Sequence, residues 1–375
     1  MEVKIVLGYA FGDEGKGVTV QWLCKKAIEE GKSVAVVRFS GGPQAGHTVV
    51  NEGIEHICSS FGSGVLLGVP TYYTDDVFID PIALYNERKV LQKKGIKETL
   101  VYASMFNRVI TPYDVFAGRE DNKVLSDGTC GMGIYPTFKR YNEGNGYGAW
   151  SMDKSEHIKK VREYYEVEED TSFEEQFIYC AKCVSFNQSN LSLYDVLIFE
   201  GSQGLLLDMD CGFYPHVTPS RVGLNGVPKK YLKDAEVYLV TRSYLTRHGN
   251  GYEPKYKLEA NLEKFKESNT FNEFQLDFKV GCLETGLLRR AAERHRLDNY
   301  KLMYNLKYNL VVTHTDVIVD SGRFDYMGED LFDYVVAPTH ETIATTVDEY
   351  TDLSYDRVFY NDSQESNLKH QILRK

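Results

Sequence analysis

A glycine-rich turn between a short apolar run and an amphipathic segment is the strongest constraint on how this chain folds. Residues 3–7 (VKIVL) are typical of a buried strand, and residues 8–17 (GYAFGDEGKG) contain four glycines. Residues 16–30 then place Val20, Leu23 and Ala27 at helical spacing. A strand, a glycine-rich turn and a helix in this order predict an α/β fold, with the turn at the sheet edge where ligands bind.

Further short β-type runs alternate with helical patterns along the chain. The clearest are residues 33–39, 196–199, 236–240 and 310–313. This alternation predicts a mostly parallel central sheet flanked by helices. Because the sequence has no internal repeat and no low-complexity linker, we expect one composite domain over residues 1–375, with a helical insertion around residues 142–190.

Charge and hydropathy exclude several classes of function. The formal net charge is −11 and the sequence has no long Lys/Arg run, so we expect no nucleic-acid partner. No segment approaches the roughly 20 apolar residues of a membrane span, and no apolar stretch of signal-peptide length opens the chain, so we expect no membrane association.

Cysteine usage indicates a reducing compartment. The seven cysteines are scattered, which argues against a disulfide framework and favours the cytoplasm. Cys180 and Cys183 form a C-x-x-C pair, but no second Cys/His pair has matching spacing, so we do not expect a zinc site there.

The glycine-rich turn has the composition of a phosphate-binding loop. Its glycines let backbone amides approach phosphate oxygens, and Lys16 adds a cation at the start of a helix. It does not match a Walker A motif, because Gly17 stands where that motif has Ser or Thr. A tight turn without a ligand is the alternative. However, Asp13 and Glu14 would repel phosphate unless a metal ion or a proton transfer required an acid.

Six segments together resemble the adenylosuccinate synthetase family, in the family's order along the chain. They are residues 12–17 (GDEGKG), 38–49 (RFSGGPQAGHTV), 128–136 (GTCGMGIYP), 199–208 (FEGSQGLLLD), 214–218 (YPHVT) and 246–251 (TRHGNG). The resemblance implies a fold like that of P-loop NTPases. It also implies a Mg²⁺-dependent ligase that joins L-aspartate to a purine monophosphate, and a homodimer.

The family's reaction gives two residues catalytic roles by resemblance. Asp13 would remove the purine N1 proton and help to hold Mg²⁺, together with the carbonyl of Gly46. His47 would donate a hydrogen bond to the transferring phosphoryl group. A packed surface histidine is the alternative for His47, but an acid and a donor together favour a site.

The resemblance also implies three groups of binding residues. The phosphates of the triphosphate would contact Gly12, Gly15, Lys16, Gly17 and Thr48. The purine monophosphate would contact Asp13, Lys16, Gln44, Ala45, Gly46, Thr129, Cys130, Gln203, Thr218 and, across a dimer, Arg140. Arg140 is equally compatible with a solvated surface position. Asp316, in the segment VVTHTD, would bind the base of the triphosphate by accepting hydrogen bonds.

Several positions depart from the family's pattern, and they surround the substrate. His314 replaces a lysine next to the base-reading acid, which leaves both ATP and GTP open as donors. The family's aspartate loop carries several arginines. Here residues 272–281 (NEFQLDFKVG) offer only Lys279, which lacks the bidentate geometry of arginine but becomes the predicted aspartate ligand. Gln44 and Cys130 replace Asn and Thr.

Residues 246–251 (TRHGNG) and 272–275 (NEFQ) resemble a viral subgroup that has reworked loops and makes 2-aminodeoxyadenylosuccinate from dGMP. We therefore expect dGMP as the substrate, with IMP and GTP, the ordinary adenylosuccinate synthetase reaction, as the alternative. A catalytically silent purine-nucleotide sensor is an alternative of another class, although such a sensor would not need Asp13. A GTPase-like switch is excluded by the missing Ser or Thr after Lys16.

Overall fold

The computed structural model describes residues 1–121, 130–186, 191–260, 274, 277–328, 331–351, 353–361 and 368–372. The described helices are α1 (Lys16–Glu29), α2 (Pro81–Lys93), α3 (Pro112–Glu120), α4 (Ile134–Asn142), α5 (Ser155–Tyr165), α6 (Thr171–Lys182), α7 (Thr285–Arg294), α8 (Leu297–Tyr304), α9 (Thr315–Ser321) and α10 (His340–Tyr350). None of them is long and apolar enough to cross a bilayer.

The described strands include all five that the sequence predicts. The first ten are β1 (Glu2–Gly8), β2 (Val34–Arg38), β3 (His47–Asn51), β4 (Ile54–Cys58), β5 (Thr71–Tyr73), β6 (Phe78–Ile79), β7 (Val101–Ala103), β8 (Arg108–Val109), β9 (Ser185–Phe186) and β10 (Val196–Gly204). The others are β11 (Glu236–Arg242), β12 (Leu245–His248), β13 (Phe278–Gly281), β14 (Leu283–Glu284), β15 (Lys307–Thr313), β16 (Arg323–Met327), β17 (Phe332–Val336), β18 (Arg357–Tyr360) and β19 (Lys369–Ile372).

Ten of the described strands form the central sheet, in the order β19-β18-β15-β11-β1-β10-β2-β5-β7-β9. All neighbouring pairs are parallel except β18 and β19 at one edge. The predicted mostly parallel α/β sheet is therefore confirmed. Because β1 lies between β10 and β11, the loop that follows β1 is at the centre of the carboxyl edge.

The two faces of the sheet bury different apolar clusters, as alternation along a strand requires. Ile5 and Leu7 of β1 point to one face, which packs against α7 and α10. Val6 points to the other face, where Val20 and Leu23 of α1 cover it. The predicted core positions of α1 are confirmed, since Val20, Leu23 and Ala27 are all buried.

A separate apolar cluster lies beyond the β5–β7 side of the sheet. It combines Leu84 of α2, Ile158 of α5 and Phe177 of α6 with residues of β5 and β7. Helices α5 and α6 thus fall within residues 142–190, where a helical insertion is expected, and they share this apolar cluster with α2, β5 and β7. Whether this region is an insertion into a single domain stays a prediction.

Candidate active site

The loop between β1 and α1 is held in place by the ends of two other strands. Gly12 and Gly15 have φ values of 116° and 86°, which favour glycine. A Cβ on Gly15 would lie 2.9 Å from Thr313 Cγ2, and Thr313 Oγ1 donates to the carbonyl of Glu14 at 2.8 Å. Arg242 donates to the carbonyl of Asp13. The carboxyl ends of β11 and β15 therefore fix the loop.

Glu14 and Lys16 turn inward, toward the backbone of the loop. The Glu14 carboxylate accepts from the amides of Ala10 and Gly12, the latter at 3.1 Å, and Lys16 Nζ donates to the carbonyl of Gly12. Burial raises the pKa of Glu14 to about 7, against the opposing charge of Lys16. Burial likewise lowers the pKa of Lys16. Glu14, the second acid of the motif, thus stabilises the conformation of the loop.

Asp13 is the acid that faces outward. Its side chain is 29% exposed, and Oδ2 lies 4.0 Å from His248 Nδ1, beyond hydrogen-bond distance. The carboxylate is therefore accessible to a proton or a cation, as its predicted roles require.

His47, at the start of β3, is buried against an ionised carboxylate. Its Nδ1 lies 2.5 Å from Glu200 Oε1, and Glu200 also accepts from the amide of Ser63 at 3.0 Å. Burial alone would raise the pKa of Glu200, but the hydrogen bonds of His47 and Ser63 and the charge of Arg38 lower it. Glu200 can then only accept, so Nδ1 of His47 carries a proton.

The other ring nitrogen of His47 is open. Nε2 is buried and has no hydrogen-bond partner among the described residues. Burial lowers the pKa of His47, and the hydrogen bond to Glu200 offsets part of that effect. Since Nδ1 already holds a proton, Nε2 can donate a hydrogen bond only from the imidazolium form. An anion at Nε2 would favour that form.

The start of α1 and the strand that carries His47 are in direct contact through Gly17. A Cβ on Gly17 would lie 2.9 Å from His47 Cβ and 3.2 Å from the carbonyl oxygen of Thr48. Only glycine permits this approach. Three residues that the sequence predicts for the site, Gly17, His47 and Thr48, are thus adjacent.

Two glutamines predicted to contact the purine monophosphate have open amide atoms. Both side-chain atoms of Gln44 and Oε1 of Gln203 are buried without a hydrogen-bond partner among the described residues. Gln203 lies beside Gly41, where a Cβ would be 3.1 Å from its Oε1. Gln44 is followed by Ala45, which is buried, and Gly46, which is exposed. Unsatisfied buried amides are expected where a polar ligand binds.

Thr218 lies in a loop that a buried acid organises. Asp208 is fully buried and accepts from the amides of Asp210 at 2.9 Å and Val222 at 2.7 Å. Thr218 donates its amide to the carbonyl of Leu207 at 2.8 Å. The fold thus presents this loop beside the end of β10.

Arg140 is bonded within its own chain in this structure, and the surface alternative is wrong. The residue is fully buried in α4. Its guanidinium donates to both carboxylate oxygens of Asp114 at 2.9 Å and to the carbonyls of Val109 and Asn145 at 2.9 Å. These bonds use four of the five N–H donors of the guanidinium, so Arg140 stabilises the fold of its own chain, and its contact with a phosphate across a dimer stays a prediction.

Asp316 lies in the first turn of α9, directly after the strand that contacts the loop. His314, which replaces the family's lysine, is half-buried, and its Nδ1 lies 2.9 Å from Thr313 Oγ1. Burial holds the pKa of His314 well below its usual value, with Arg242 adding to the effect. This position is therefore neutral, whereas lysine would bring a positive charge.

Some of the residues predicted to contact L-aspartate or the purine monophosphate lie outside the described residues. Thr129 and residues 272–273 and 275–276 lie outside the described residues. Lys279 of β13 forms an ion pair with Glu253 on the surface. Cys130 is half-buried, and burial raises the pKa of its thiol to about 11, so it is protonated at neutral pH.

The sequence analysis assigns no role to Glu200 or Arg247, although both lie in segments that resemble the family. Glu200 follows β-strand residues in FEGSQG, where a buried acid signals a partner such as His47. Arg247, in TRHGNG, is 8% exposed and its Nε has no hydrogen-bond partner among the described residues. A charged residue within an apolar strand end was the signal for both.

Comparison with known proteins places this arrangement in a family. The family model described as adenylosuccinate synthetase matches residues 5–175 and 152–317. The adenylosuccinate synthetase of Thermoanaerobacter pseudethanolicus is 31% identical over 308 residues, which cover 71% of this chain and 68% of that protein. That of Acetivibrio thermocellus is 29% identical over 354 residues, which cover 85% and 79%.

Two solved structures share the fold. The fully ligated adenylosuccinate synthetase from Plasmodium falciparum has a TM-score of 0.76 at 18% identity, with all of both chains covered. The cyanophage S-2L succinoaminodeoxyadenylate synthetase bound to dGMP and dATP has a TM-score of 0.59 at 16% identity, with 93% of this chain and 99% of that chain covered.

The fold and the loop define a nucleotide-binding α/β ligase. The chain belongs to the adenylosuccinate synthetase family, whose members are ligases of purine biosynthesis.

Proposed function

We propose that this chain joins L-aspartate to dGMP in a triphosphate-dependent reaction that forms 2-amino-2′-deoxyadenylosuccinate. The observation that carries the chemistry is the pair of open groups at the loop. The Asp13 carboxylate is accessible, and His47 Nε2 is buried without a partner among the described residues. A proton acceptor and a phosphoryl-directed donor on adjacent elements suit activation of a purine carbonyl.

The first step moves a phosphoryl group. Asp13 takes the N1 proton of the purine, so that O6 becomes nucleophilic and forms a bond to the γ-phosphorus. The bond from that phosphorus to the bridging oxygen breaks, and the diphosphate leaves. His47 donates from Nε2 to the phosphoryl oxygens, where negative charge must be stabilised.

The second step forms the C–N bond. The aspartate amine attacks C6 and inorganic phosphate leaves with O6. Phosphorylation is needed because the amide-like oxygen of the base is a poor leaving group by itself. Guanine and hypoxanthine both carry an N1 proton beside O6, so the same residues can serve dGMP or IMP.

The residues at the loop fit a Mg²⁺ ion. Mg²⁺ takes oxygen ligands, usually one or two carboxylates with phosphate oxygens. Asp13 offers an accessible carboxylate, and the family resemblance adds the carbonyl of Gly46, which is exposed. When bound, the ion would neutralise charge on the phosphates.

Preference for dGMP rests on the departures that surround the substrate. Gln44 and Cys130 replace the family's Asn and Thr, and Lys279 is the only cation of residues 272–281. The cyanophage enzyme that shares the fold is described as bound to dGMP. IMP with GTP is the alternative, because the relatives in sequence are adenylosuccinate synthetases. Neutral His314 leaves ATP and GTP open as donors.

A product assay tests the proposal. Purified protein with Mg²⁺, L-aspartate and either ATP or GTP is incubated with dGMP or with IMP, and products are identified by mass. An adduct from dGMP but not from IMP is expected. An adduct from IMP alone would make the chain an ordinary adenylosuccinate synthetase.

A variant of the acid separates an enzyme from a nucleotide sensor. Asp13→Asn should lower the rate of adduct formation by roughly 10²- to 10⁴-fold, the usual contribution of a general base, while dGMP still binds. Normal turnover in this variant would contradict the mechanism. Binding of dGMP by the wild-type protein without any product would favour the sensor.

We also infer a homodimer from the family, which analytical ultracentrifugation would test.

A further inference from the structure

A cavity of about 300 Å³ lies beside the nucleotide loop. The rings of Phe11, Phe213, Tyr214 and Tyr252 line it, together with His216 and Arg247. Its volume is at the lower limit of cavities that bind small molecules, roughly 300–1,000 Å³. It therefore suits a ligand smaller than a nucleotide, or one end of a larger one.

Arg247 is the cation of this cavity, and its guanidinium is incompletely satisfied. Nη2 donates to the carbonyl of Asn250 at 2.7 Å, whereas the buried Nε has no hydrogen-bond partner among the described residues. Burial lowers the pKa of Arg247 to about 10, and the charge of Asp13 opposes that effect. A buried guanidinium with an open donor is costly, so an anion that binds here removes that cost.

The surroundings of Arg247 are built to hold the side chain in position. The guanidinium lies 5.3 Å from the centre of the Phe11 ring, and Phe11 stacks on Tyr252 at 5.6 Å. Gly251 has a φ of 114°, and a Cβ there would lie 3.1 Å from Arg247 Nη2. The cavity is partly open to solvent, since Tyr214 is 89% exposed, but its aromatic walls lower the local polarity and so strengthen an ion pair formed against them.

We propose that Arg247 binds a carboxylate of L-aspartate in this cavity, an inference that rests on the proposed ligase function. The substrate is a dicarboxylate, and arginine pairs with a carboxylate through two parallel N–H donors. Lys279, which lies opposite Arg247 on β13, is already paired with Glu253 at the surface. Among these two neighbouring cations, Arg247 is the one with a buried open donor.

The 5′-phosphate of the purine nucleotide is the other anion that could bind a guanidinium. Position argues against it. Asp13, whose charge acts on Arg247, is the group that takes the N1 proton. C6 is bonded to N1, so the aspartate amine must approach at this same edge of the base. The 5′-phosphate lies at the opposite end of the nucleotide, and the cation near Asp13 therefore serves the amino acid.

Steady-state kinetics of the full-length protein tests the assignment. Arg247→Met should raise the KM for L-aspartate by roughly 30-fold or more, the effect of truncating one partner of a buried charge pair, with the KM for the monophosphate changed less than about threefold. The inhibition constant of succinate, which has both carboxylates but no amine, should rise by a similar factor. Arg247→Lys, which keeps the charge without the fork, should give an intermediate value for both constants.

Arg290→Met is the matched control, because Arg290 is an exposed arginine 5.9 Å from the Phe213 ring at the edge of the cavity. It should change the KM for L-aspartate less than about threefold. Circular dichroism of each variant verifies folding, and Arg247→Lys stands in if Arg247→Met does not fold.

Three results would overturn the assignment. The first is a rise in the KM for the monophosphate without one for L-aspartate. The second is an unchanged KM for L-aspartate in both Arg247 variants. The third is a larger effect from Lys279→Met than from Arg247→Met. If the wild-type protein makes no adduct at all, the proposed function fails instead.

Discussion

Arg140 and Arg247 are both buried arginines, but their surroundings differ. Arg140 lies among α3, α4 and α5, with Asp114 and two carbonyls accepting from it. Arg247 lines a cavity beside the nucleotide loop, and its buried Nε has no hydrogen-bond partner among the described residues. A buried charge that is paired within its own chain holds the fold together, whereas a buried charge with an unpaired donor can bind a ligand where it lines a cavity.

An open atom alone does not define a site, as two histidines demonstrate. His47 and His157 each have a buried Nε2 without a partner among the described residues. His47 adjoins the loop, whereas His157 lies between the rings of Tyr147 and Phe177, with Nδ1 2.9 Å from Ser151 Oγ. The position of His47 beside the nucleotide loop therefore distinguishes it from His157, and variants of both histidines and of Arg140 test these contrasts.

The largest effect is expected when the closed pair is broken. Arg140→Met leaves Asp114 as an uncompensated buried charge and should lower the free energy of unfolding by about 3–5 kcal/mol. Urea denaturation measures it. Adding Asp114→Asn should restore part of the loss. If Arg140→Met left stability unchanged and raised the KM for the monophosphate, Arg140 would be a ligand after all.

The second prediction addresses the open donor of His47. His47→Asn keeps a donor near the position of Nδ1, toward Glu200, but removes Nε2. It should lower kcat by roughly 10²- to 10³-fold, the effect of losing one donor to transition-state charge. Stability should change little. His47→Gln keeps a donor near Nε2 and loses the one toward Glu200, so it should retain more activity. The reverse ranking would argue against Nε2 as the acting atom.

The third prediction concerns acid stability in the closed region. Burial lowers the pKa of His157 to about 4, from an unfolded value near 6.5. The stability that this neutral histidine contributes is present above pH 6.5 and is lost as the pH falls toward 4, by up to roughly 3 kcal/mol. His157→Phe should reduce the slope of unfolding free energy against pH in that window. An unchanged slope would assign the acid sensitivity to other groups.

The smallest effect is expected at His47. There a fall in pH should strengthen triphosphate binding, whereas at His157 a fall in pH should weaken the fold. Its pKa is lowered by burial in the free protein, and a bound phosphate would raise it. Triphosphate binding should therefore take up to one proton and strengthen as the pH falls, by at most about tenfold per pH unit. Titration calorimetry in two buffers of different ionisation enthalpy measures the number of protons taken up on binding. His47→Asn should abolish the uptake, and equal heats for the wild type would contradict the linkage.

Local sequence predicted the elements and the loop but not the pairing of buried charges. The β1–loop–α1 unit and the parallel sheet follow from periodicity and glycine position, which neighbouring residues determine. By contrast, His47 and Glu200 are separated by 153 positions, and Arg140 and Asp114 by 26. Contacts at such separations depend on the assembled sheet, so no local pattern distinguishes a closed arginine from an open one.

Glu14 illustrates the same limit at short range. The sequence shows two adjacent acids in a phosphate loop, and their different roles depend on which way each side chain turns. The structure turns Glu14 toward the amides of Ala10 and Gly12 and leaves Asp13 accessible. Gly12 and Gly15, on either side of the pair, have φ values of 116° and 86°, a conformation that favours glycine, so the backbone direction at each acid does not follow from the residue type of the acids.

The contact at Gly17 also limits how this loop can evolve. P-loop enzymes place a Ser or Thr hydroxyl after the lysine as a metal ligand. In this chain any side chain at position 17 would collide with His47 and Thr48. A single mutation toward the Walker sequence would therefore displace the histidine before it gained a metal ligand. A side chain at position 17 would therefore require β3, which carries His47 and Thr48, to move first.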